Sequence, residues 1–245
     1  MIRLIWVTVV GWVATFVWAS YVLWGSLFRV RCMSCVCERA CREWSRWILW
    51  ASNVTVRMEG TELFQRQEGP WILVANHESW YDVWALATHL PLHYRFVAKE
   101  ELSRVPLFGY AWVRCGHVSI NRGDRGSAVA SLEEALKRVR DDRIAMILFP
   151  EGTRSPDGNL LPFKKGAFVL ALQSGIPIVP VGVQGGRQIL PKGSFRVRSG
   201  EMVIRVGDPI PVEGLGMKDR DALLAQAREA VGRLKEEGEL PRSQV

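Results

Sequence analysis

The sequence lacks the signatures of two large functional classes. No Gly-x-Ser-x-Gly nucleophile elbow occurs in its 245 residues, so a serine hydrolase of that type is excluded. After residue 60 there is no basic block with interleaved aromatic residues, which argues against nucleic acid as a partner although the formal net charge is +7. The basic charge instead favours another anionic partner, such as a membrane surface or a phosphorylated substrate.

Charge is also missing from residues 4–28, a run long enough to cross about 30 Å of hydrocarbon as a helix. The run is too long for a signal-peptide core and is followed by no short small-residue cleavage site, so we expect a retained membrane anchor. Gly11 and Gly25 permit a bend, which leaves open whether this helix spans the bilayer or enters one leaflet. Arg29 and Arg31 outweigh Arg3, which favours a cell-membrane protein whose catalytic domain lies on the cytoplasmic face.

The next segment, residues 32–51, has an apolar helical stripe opposite charged residues, so it predicts an amphipathic second helix. Four of the five cysteines lie in it, namely Cys32, Cys35, Cys37 and Cys41. Their spacing matches no zinc knuckle or ribbon, so we interpret them as small apolar residues on a helix face and expect no metal. Cys115 stands alone in the remainder, which agrees with an intracellular domain without disulfides.

From about residue 53 onward, short apolar strands alternate with helical patterns, as in an α/β domain. We therefore expect a membrane-associating helical hairpin over residues 1–52 and one α/β catalytic domain over residues 53–245. The candidate strands cover residues 54–59, 71–75, 96–98, 117–120, 145–149, 178–183, 195–198 and 202–206. The candidate helices cover residues 81–88, 107–114, 125–140, 166–174 and 218–236.

A histidine follows the apolar run 71–75 directly. Ser79 and Asp82 have the spacing of a capping box, which places Ser79 at the N-cap of the next helix and turns the Asp82 carboxylate back toward His77. An aspartate that orients one imidazole nitrogen leaves the other free to take a proton from a hydroxyl group. The alternative is that Asp82 only caps its helix and His77 is an ordinary loop histidine.

Polar residues follow other predicted strands in the same way, and strand ends are where α/β sheets bind ligands. Residues 149–155 read Phe-Pro-Glu-Gly-Thr-Arg-Ser, in which Gly152 permits a tight turn and Arg154 suits bidentate phosphate recognition. Arg122 and Lys99 come at two further strand ends. Each of these cations alone could be a solvated surface charge, residues 149–155 could be a polar turn with a Glu151–Arg154 ion pair, and the apolar run 178–181 could be a site wall or a buried strand.

Taken together, these residues resemble the glycerolipid acyltransferase family, in particular the bacterial 1-acylglycerol-3-phosphate acyltransferases. The family's Asn-His-x-x-x-x-Asp motif corresponds to residues 76–82, and its Phe-Pro-Glu-Gly-Thr-Arg-Ser motif to residues 149–155. Its Gly-x-x-x-Ile-Asn-Arg block resembles residues 116–122 and its Val-Pro-Val block residues 179–181. Order and spacing agree over about residues 70–185.

The resemblance implies transfer of a fatty acyl group from a coenzyme A or acyl-carrier-protein thioester to the sn-2 hydroxyl of lysophosphatidic acid, giving phosphatidic acid. It implies a glycerolipid-acyltransferase-like α/β fold, with a mostly parallel or mixed sheet flanked by helices behind a two-helix membrane motif. His77 would be the general base and Asp82 its orienting partner. The residues expected to bind the acceptor phosphate or shape its pocket are Lys99, Arg122, Glu151, Gly152, Thr153 and Arg154.

No cofactor is expected beyond the acyl donor, because a thioester is already activated and the alcohol needs only deprotonation and positioning. The sequence does not determine the oligomeric state, the acyl-chain length or the donor. Two alternatives stay open. One is an acyltransferase for another lyso-lipid, such as lyso-ornithine lipid, and the other is a non-catalytic membrane-surface protein that binds anionic lipid.

Overall fold

Two packed helices open the chain. In a computed structural model, which describes residues 2–67, 69–121, 136, 139–141 and 143–237, α1 is Ile2–Leu27 and α2 is Met33–Ala51. The indole Nε1 of Trp44 donates to Thr15 Oγ1 at 3.0 Å and so joins the two helices. Among the described residues, α1 is the one helix whose length and hydropathy suffice for a membrane span, and most of its large apolar side chains are exposed.

A seven-stranded sheet follows, with the strand order β1-β7-β6-β2-β5-β3-β4. The strands are β1 (Val54–Glu59), β2 (Trp71–Ala75), β3 (Tyr94–Lys99), β4 (Val118–Ile120), β5 (Ala145–Leu148), β6 (Ile178–Gln184) and β7 (Gly200–Val206). The helices after α2 are α3 (Glu62–Arg66), α4 (Trp80–His89), α5 (Phe108–Arg114), α6 (Gly166–Ser174), α7 (Gly186–Ile189) and α8 (Arg220–Glu236), with 3-10 turns at Glu100–Arg104 and Met217–Asp219.

The sheet is mixed, because β6 and β7 are antiparallel whereas every other neighbouring pair is parallel. This confirms the predicted fold class. The strands β6, β2, β5, β3 and β4 share one direction, so their carboxyl ends lie along the same edge of the sheet. The turns that carry the predicted motifs after β2 and β5 are therefore neighbours.

Side chains on the two faces of the sheet belong to two separate apolar clusters. Leu73 belongs to a cluster that also contains residues of α1, α2 and α4, whereas Ile72 belongs to one that contains residues of α6 and α8. Successive strand residues point to opposite faces, which explains why all five residues of β2 are buried. Because Val10 and Ile48 share the cluster of Leu73, the N-terminal helices contribute to the same core as the sheet.

Two sequence predictions are wrong. Residues 195–198 form no strand, because both neighbours of β7 are already taken by β6 and β1. The backbone N–H of Arg198 donates instead to the Ile189 carbonyl oxygen, and that of Arg196 to Ser194 Oγ. The cysteines of residues 32–41 are not only small apolar residues on a helix face, and Cys115 is not unpaired, since Cys37 forms a disulfide with Cys115. A second disulfide joins Cys32 and Cys35 and leaves Cys41 free. Most of the predicted helix 125–140 lies outside the described residues.

Candidate active site

The centre of the site is one carboxylate oxygen that accepts three hydrogen bonds. Asp82 Oδ2 lies 2.9 Å from His77 Nδ1, and it accepts the backbone N–H groups of Glu78 at 2.7 Å and Ser79 at 2.8 Å. Ser79 is the N-cap of α4 and the capping box is present, as the spacing predicts. A neutral imidazole that donates from Nδ1 to this carboxylate keeps the Nε2 lone pair for a proton.

His77 is also tied to the turn after β5. The backbone N–H of His77 donates to Glu151 Oε1 at 2.6 Å, and its backbone carbonyl oxygen accepts the Ser155 N–H at 2.7 Å. Its ring stacks on Phe149 with the ring centroids 4.2 Å apart. The second Glu151 oxygen accepts the Leu161 N–H at 3.0 Å, so this carboxylate organises backbone, and burial raises its pKa.

A largely buried ion pair between Lys235 and Glu78 supports the turn after β2 and the turn after β5. Lys235 Nζ, near the end of α8, lies 3.0 Å from Glu78 Oε1 and also donates to the Gly158 carbonyl oxygen. Glu78 is 6% exposed, and burial raises its pKa, against the opposing effect of Lys235. Residues before α4 and residues after β5 are thus joined through one side chain of the last helix.

Arg154 lies beside the His77–Asp82 pair. Its guanidinium lies over the exposed indole ring of Trp80, 5.1 Å from the ring centroid, which is a cation–π contact. Burial lowers the pKa of Arg154, but an arginine stays charged at neutral pH. Gly152 has a φ of 72°, a left-handed conformation that glycine adopts without a steric penalty, and Thr153 Oγ1 accepts from Lys192 Nζ at 3.1 Å.

The structure therefore brings together six of the predicted site residues, which are His77, Asp82, Glu151, Gly152, Thr153 and Arg154. Lys99 is exposed at the end of β3, two strands from β2, which corresponds to about 10 Å. Its side chain makes no hydrogen bond or ion pair with another described residue. Arg122 lies outside the described residues.

The segment after β6 also belongs to the site, although it is not among the predicted site residues. An ideal Cβ on Gly186 would lie 2.2 Å from Asp82 Oδ1, so the backbone of α7 lies directly against the carboxylate. Asn76, which directly follows β2, joins this strand to β6. Its side-chain amide donates to the Val183 carbonyl oxygen at 2.8 Å and accepts the Val183 N–H at 2.7 Å. A signal for the first contact was the Gly185–Gly186 pair that directly follows an apolar strand.

An apolar cavity lies between the N-terminal helices and the sheet. Residues of α1, α2, α4, α5 and β3 line it, among them Trp18, Val83, Ala87 and Phe108. Because α4 also carries Asp82 at its first turn, one helix connects the polar site with the apolar cavity. Its volume of about 60 Å³ accommodates only part of a hydrocarbon chain.

Comparisons with known proteins agree with the motifs. The family model described as Acyltransferase matches residues 55–184. A 1-acyl-sn-glycerol-3-phosphate acyltransferase of Limnanthes douglasii is 36% identical over 163 residues, which is 66% of this chain but only 57% of that protein. The human 1-acyl-sn-glycerol-3-phosphate acyltransferase alpha is 33% identical over 184 residues, covering 75% of this chain and 65% of that one. The chain thus spans less than two thirds of the length of these relatives.

A solved structure matches almost the whole chain. The crystal structure of the 1-acyl-sn-glycerophosphate (LPA) acyltransferase PlsC from Thermotoga maritima superposes with a TM-score of 0.78 at 26% sequence identity. The match covers 98% of this chain and 99% of that one, so it includes the N-terminal helices as well as the sheet.

Proposed function

The chain belongs to the acyltransferase family, and from that premise we propose that it transfers a fatty acyl group to the sn-2 hydroxyl of 1-acyl-sn-glycerol 3-phosphate. The product is phosphatidic acid, and the donor is a thioester of coenzyme A or acyl-carrier protein. The observation that carries this proposal is the His77 Nδ1–Asp82 Oδ2 contact of 2.9 Å, in a site that also contains the guanidinium of Arg154. The names of the relatives support the same acceptor.

In the proposed reaction His77 Nε2 takes the proton of the acceptor hydroxyl group while the oxygen of that hydroxyl group attacks the thioester carbonyl carbon. Asp82 keeps the imidazole in the required tautomer and stabilises its protonated form. When the tetrahedral intermediate collapses, the C–S bond breaks and the imidazolium returns its proton to the leaving thiolate. No covalent acyl-enzyme forms, so a burst of acylated enzyme in rapid-quench experiments would contradict this mechanism.

The acceptor phosphate is assigned to the turn after β5. Arg154 offers a guanidinium with a planar fork of donors, which suits a phosphate monoester. We propose that Lys99 and Arg122 join it when the acceptor is bound and that Glu151, Gly152 and Thr153 give the turn its shape. No cofactor is required beyond the acyl donor.

We assign acyl-chain binding and membrane contact to the N-terminal helices and the cavity beside them. The apolar lining of the cavity beside α4 supports contact with part of a hydrocarbon chain, and the exposed apolar surface of α1 supports contact with lipid. We propose a cell-membrane location with the catalytic site on the cytoplasmic face. The orientation rests on Arg29 and Arg31 alone, because the Cys37–Cys115 disulfide removes the argument from unpaired cysteines.

A mass-spectrometric acyl-transfer assay on purified protein tests the proposal. It offers lysophosphatidate, lyso-ornithine lipid and other lysophospholipids with both donor thioesters. We expect lysophosphatidate to be acylated, and we expect His77→Ala to lose roughly 10²–10⁴-fold in turnover, the usual value of general base catalysis. The matched control is His93→Ala, which removes an exposed histidine outside the site.

The other outcomes separate the alternatives. Near-normal turnover of His77→Ala would contradict the role of the base. Preference for lyso-ornithine lipid would change the acceptor and keep the reaction. Lipid binding without acyl transfer to any acceptor, unaffected by His77→Ala, would identify a non-catalytic membrane-surface protein.

A further inference from the structure

The segment Gly185–Lys192, which follows β6, contacts the catalytic pair at its beginning. Gly186 lies so close to Asp82 Oδ1 that an added Cβ would be 2.2 Å from that oxygen and 3.0 Å from Ser79 Cβ. Four residues later, the Leu190 carbonyl oxygen accepts a 2.9 Å hydrogen bond from Ser79 Oγ. The segment is therefore fixed against the first turn of α4.

The other end of the same segment contacts the turn after β5. Lys192 Nζ donates to Thr153 Oγ1 at 3.1 Å and to the Arg154 carbonyl oxygen at 2.9 Å. Between the two ends, Arg187 Nε lies 3.5 Å from the Pro156 carbonyl oxygen, which keeps the segment beside the same turn. A hydrogen bond from a charged donor is stronger than one from a neutral donor. Lys192 therefore restrains the backbone carbonyl group that it binds more firmly than a neutral donor would.

Since the two ends contact the two halves of the site, we propose that Lys192 is a positioning residue for Arg154 in the acyl transfer. Lys192 holds the backbone of residues 153–154 at a fixed distance from His77 and Asp82, and so aims the Arg154 guanidinium at the acceptor phosphate. This inference rests on the proposed function. It predicts that Lys192 affects the acceptor and not the donor, and that it acts only through Arg154.

A double-mutant cycle tests this coupling, because residues that act through each other have non-additive effects. It compares wild type, Lys192→Met, Arg154→Met and the double variant. We expect Lys192→Met to raise the KM for lysophosphatidate about tenfold, the usual value of a hydrogen bond to a charged group, with kcat and the donor KM changed little. In the Arg154→Met background the same change should have almost no further effect.

Two further variants control the cycle. Lys192→Arg keeps a cationic donor and should restore most of the acceptor affinity. Lys218→Met removes an exposed lysine from the 3-10 turn Met217–Asp219 and should leave all constants as in wild type. Circular dichroism and thermal melting of each variant check that the fold is intact.

The same cycle is measured as equilibrium binding of lysophosphatidate to the protein in detergent micelles. If wild type transfers no acyl group, the proposed function fails, but the binding cycle still measures the coupling between Lys192 and Arg154. If Lys192→Met lowers acceptor affinity by the same factor in both backgrounds, or in neither, the inference is overturned.

Discussion

Two histidines show how their surroundings decide their chemistry. His77 Nδ1 faces the carboxylate of Asp82, whereas His117 Nδ1 accepts the backbone N–H of Phe96 at 3.1 Å and its ring stacks on Trp112. Burial, with a smaller contribution from Arg95, lowers the pKa of His117 to about 3. The structure thus orients one imidazole against a carboxylate and uses the other as a neutral hydrogen-bond acceptor.

The neutral His117 makes stability depend on pH. Above its ordinary pKa of 6.5, neither the folded nor the unfolded chain protonates this residue. Below that value only the unfolded chain takes up the proton, so the free energy of unfolding falls by about 1.4 kcal/mol per pH unit until the folded pKa is reached.

The variant His117→Asn keeps a hydrogen-bond acceptor. Between pH 7 and pH 5 we expect its free energy of unfolding to fall by about 2 kcal/mol less than that of wild type. Urea unfolding in detergent at the two pH values, followed by tryptophan fluorescence, measures this difference. Parallel losses in the two proteins would contradict the assignment.

Residues close in sequence were the predictable part of the site. The capping box of Ser79 and Asp82 is a local pattern, so the sequence could place both residues and the histidine before them. The contacts of Lys192 with Thr153 and Arg154 join residues 38 or more positions apart. No periodicity or spacing encodes such a contact, which depends on the order of strands in the sheet.

At the scale of elements, the site is built from the turns that follow β2, β5 and β6. The parallel order of these strands places their carboxyl ends side by side. Asn76 joins the end of β2 to β6, and Glu151 binds the backbone of the turn after β2. The strands β2, β5 and β6 were predictable from their apolar runs. The failed prediction at residues 195–198 shows the limit, since β-propensity does not reveal which strand edges are already occupied.

The close approach of α7 to α4 gives a prediction for Gly186. A methyl group at this position must displace the Asp82 carboxylate or the backbone of α7, because its Cβ would lie 2.2 Å from Oδ1. We expect Gly186→Ala to lower kcat by about tenfold or more while the acceptor KM changes little, since the pair acts on the reacting proton. Steady-state kinetics with both substrates varied provides the measurement.

The matched control is Gly166→Ala, where an added Cβ would meet nothing within 4 Å. It should retain wild-type kinetics. An unchanged kcat in Gly186→Ala, or an equal loss in both variants, would show that the contact with Asp82 has no part in positioning it.

At the scale of the whole molecule, a covalent bond attaches the N-terminal helices to the end of α5. The Cys37–Cys115 disulfide joins α2 to the residue after α5 across 78 positions of sequence, whereas the Cys32–Cys35 disulfide spans only 3. In the chain-entropy model a closed loop stabilises the fold more when it is longer. The sequence could not reveal this pairing, because it depends on how the N-terminal helices pack around the end of α5.

We expect Cys115→Ala to lower the free energy of unfolding by roughly 2–4 kcal/mol, and Cys35→Ala by clearly less. Denaturant unfolding with and without a dithiol reductant measures both effects. Reductant should destabilise wild type to a similar extent and should have little further effect on Cys115→Ala. Equal stability of wild type and Cys115→Ala would contradict a structural role for this bond.

The ion pair behind the site links its assembly to the end of the chain. Lys235 reaches Glu78 and the Gly158 carbonyl oxygen from the last turns of α8, so the two motif-bearing turns receive this common support only when that helix is in place. During synthesis, a nascent chain whose last helix is still inside the ribosome has both motifs but not this support. We therefore expect the two turns to reach their final arrangement only after α8 has been synthesised, when the N-terminal helices have already left the ribosome.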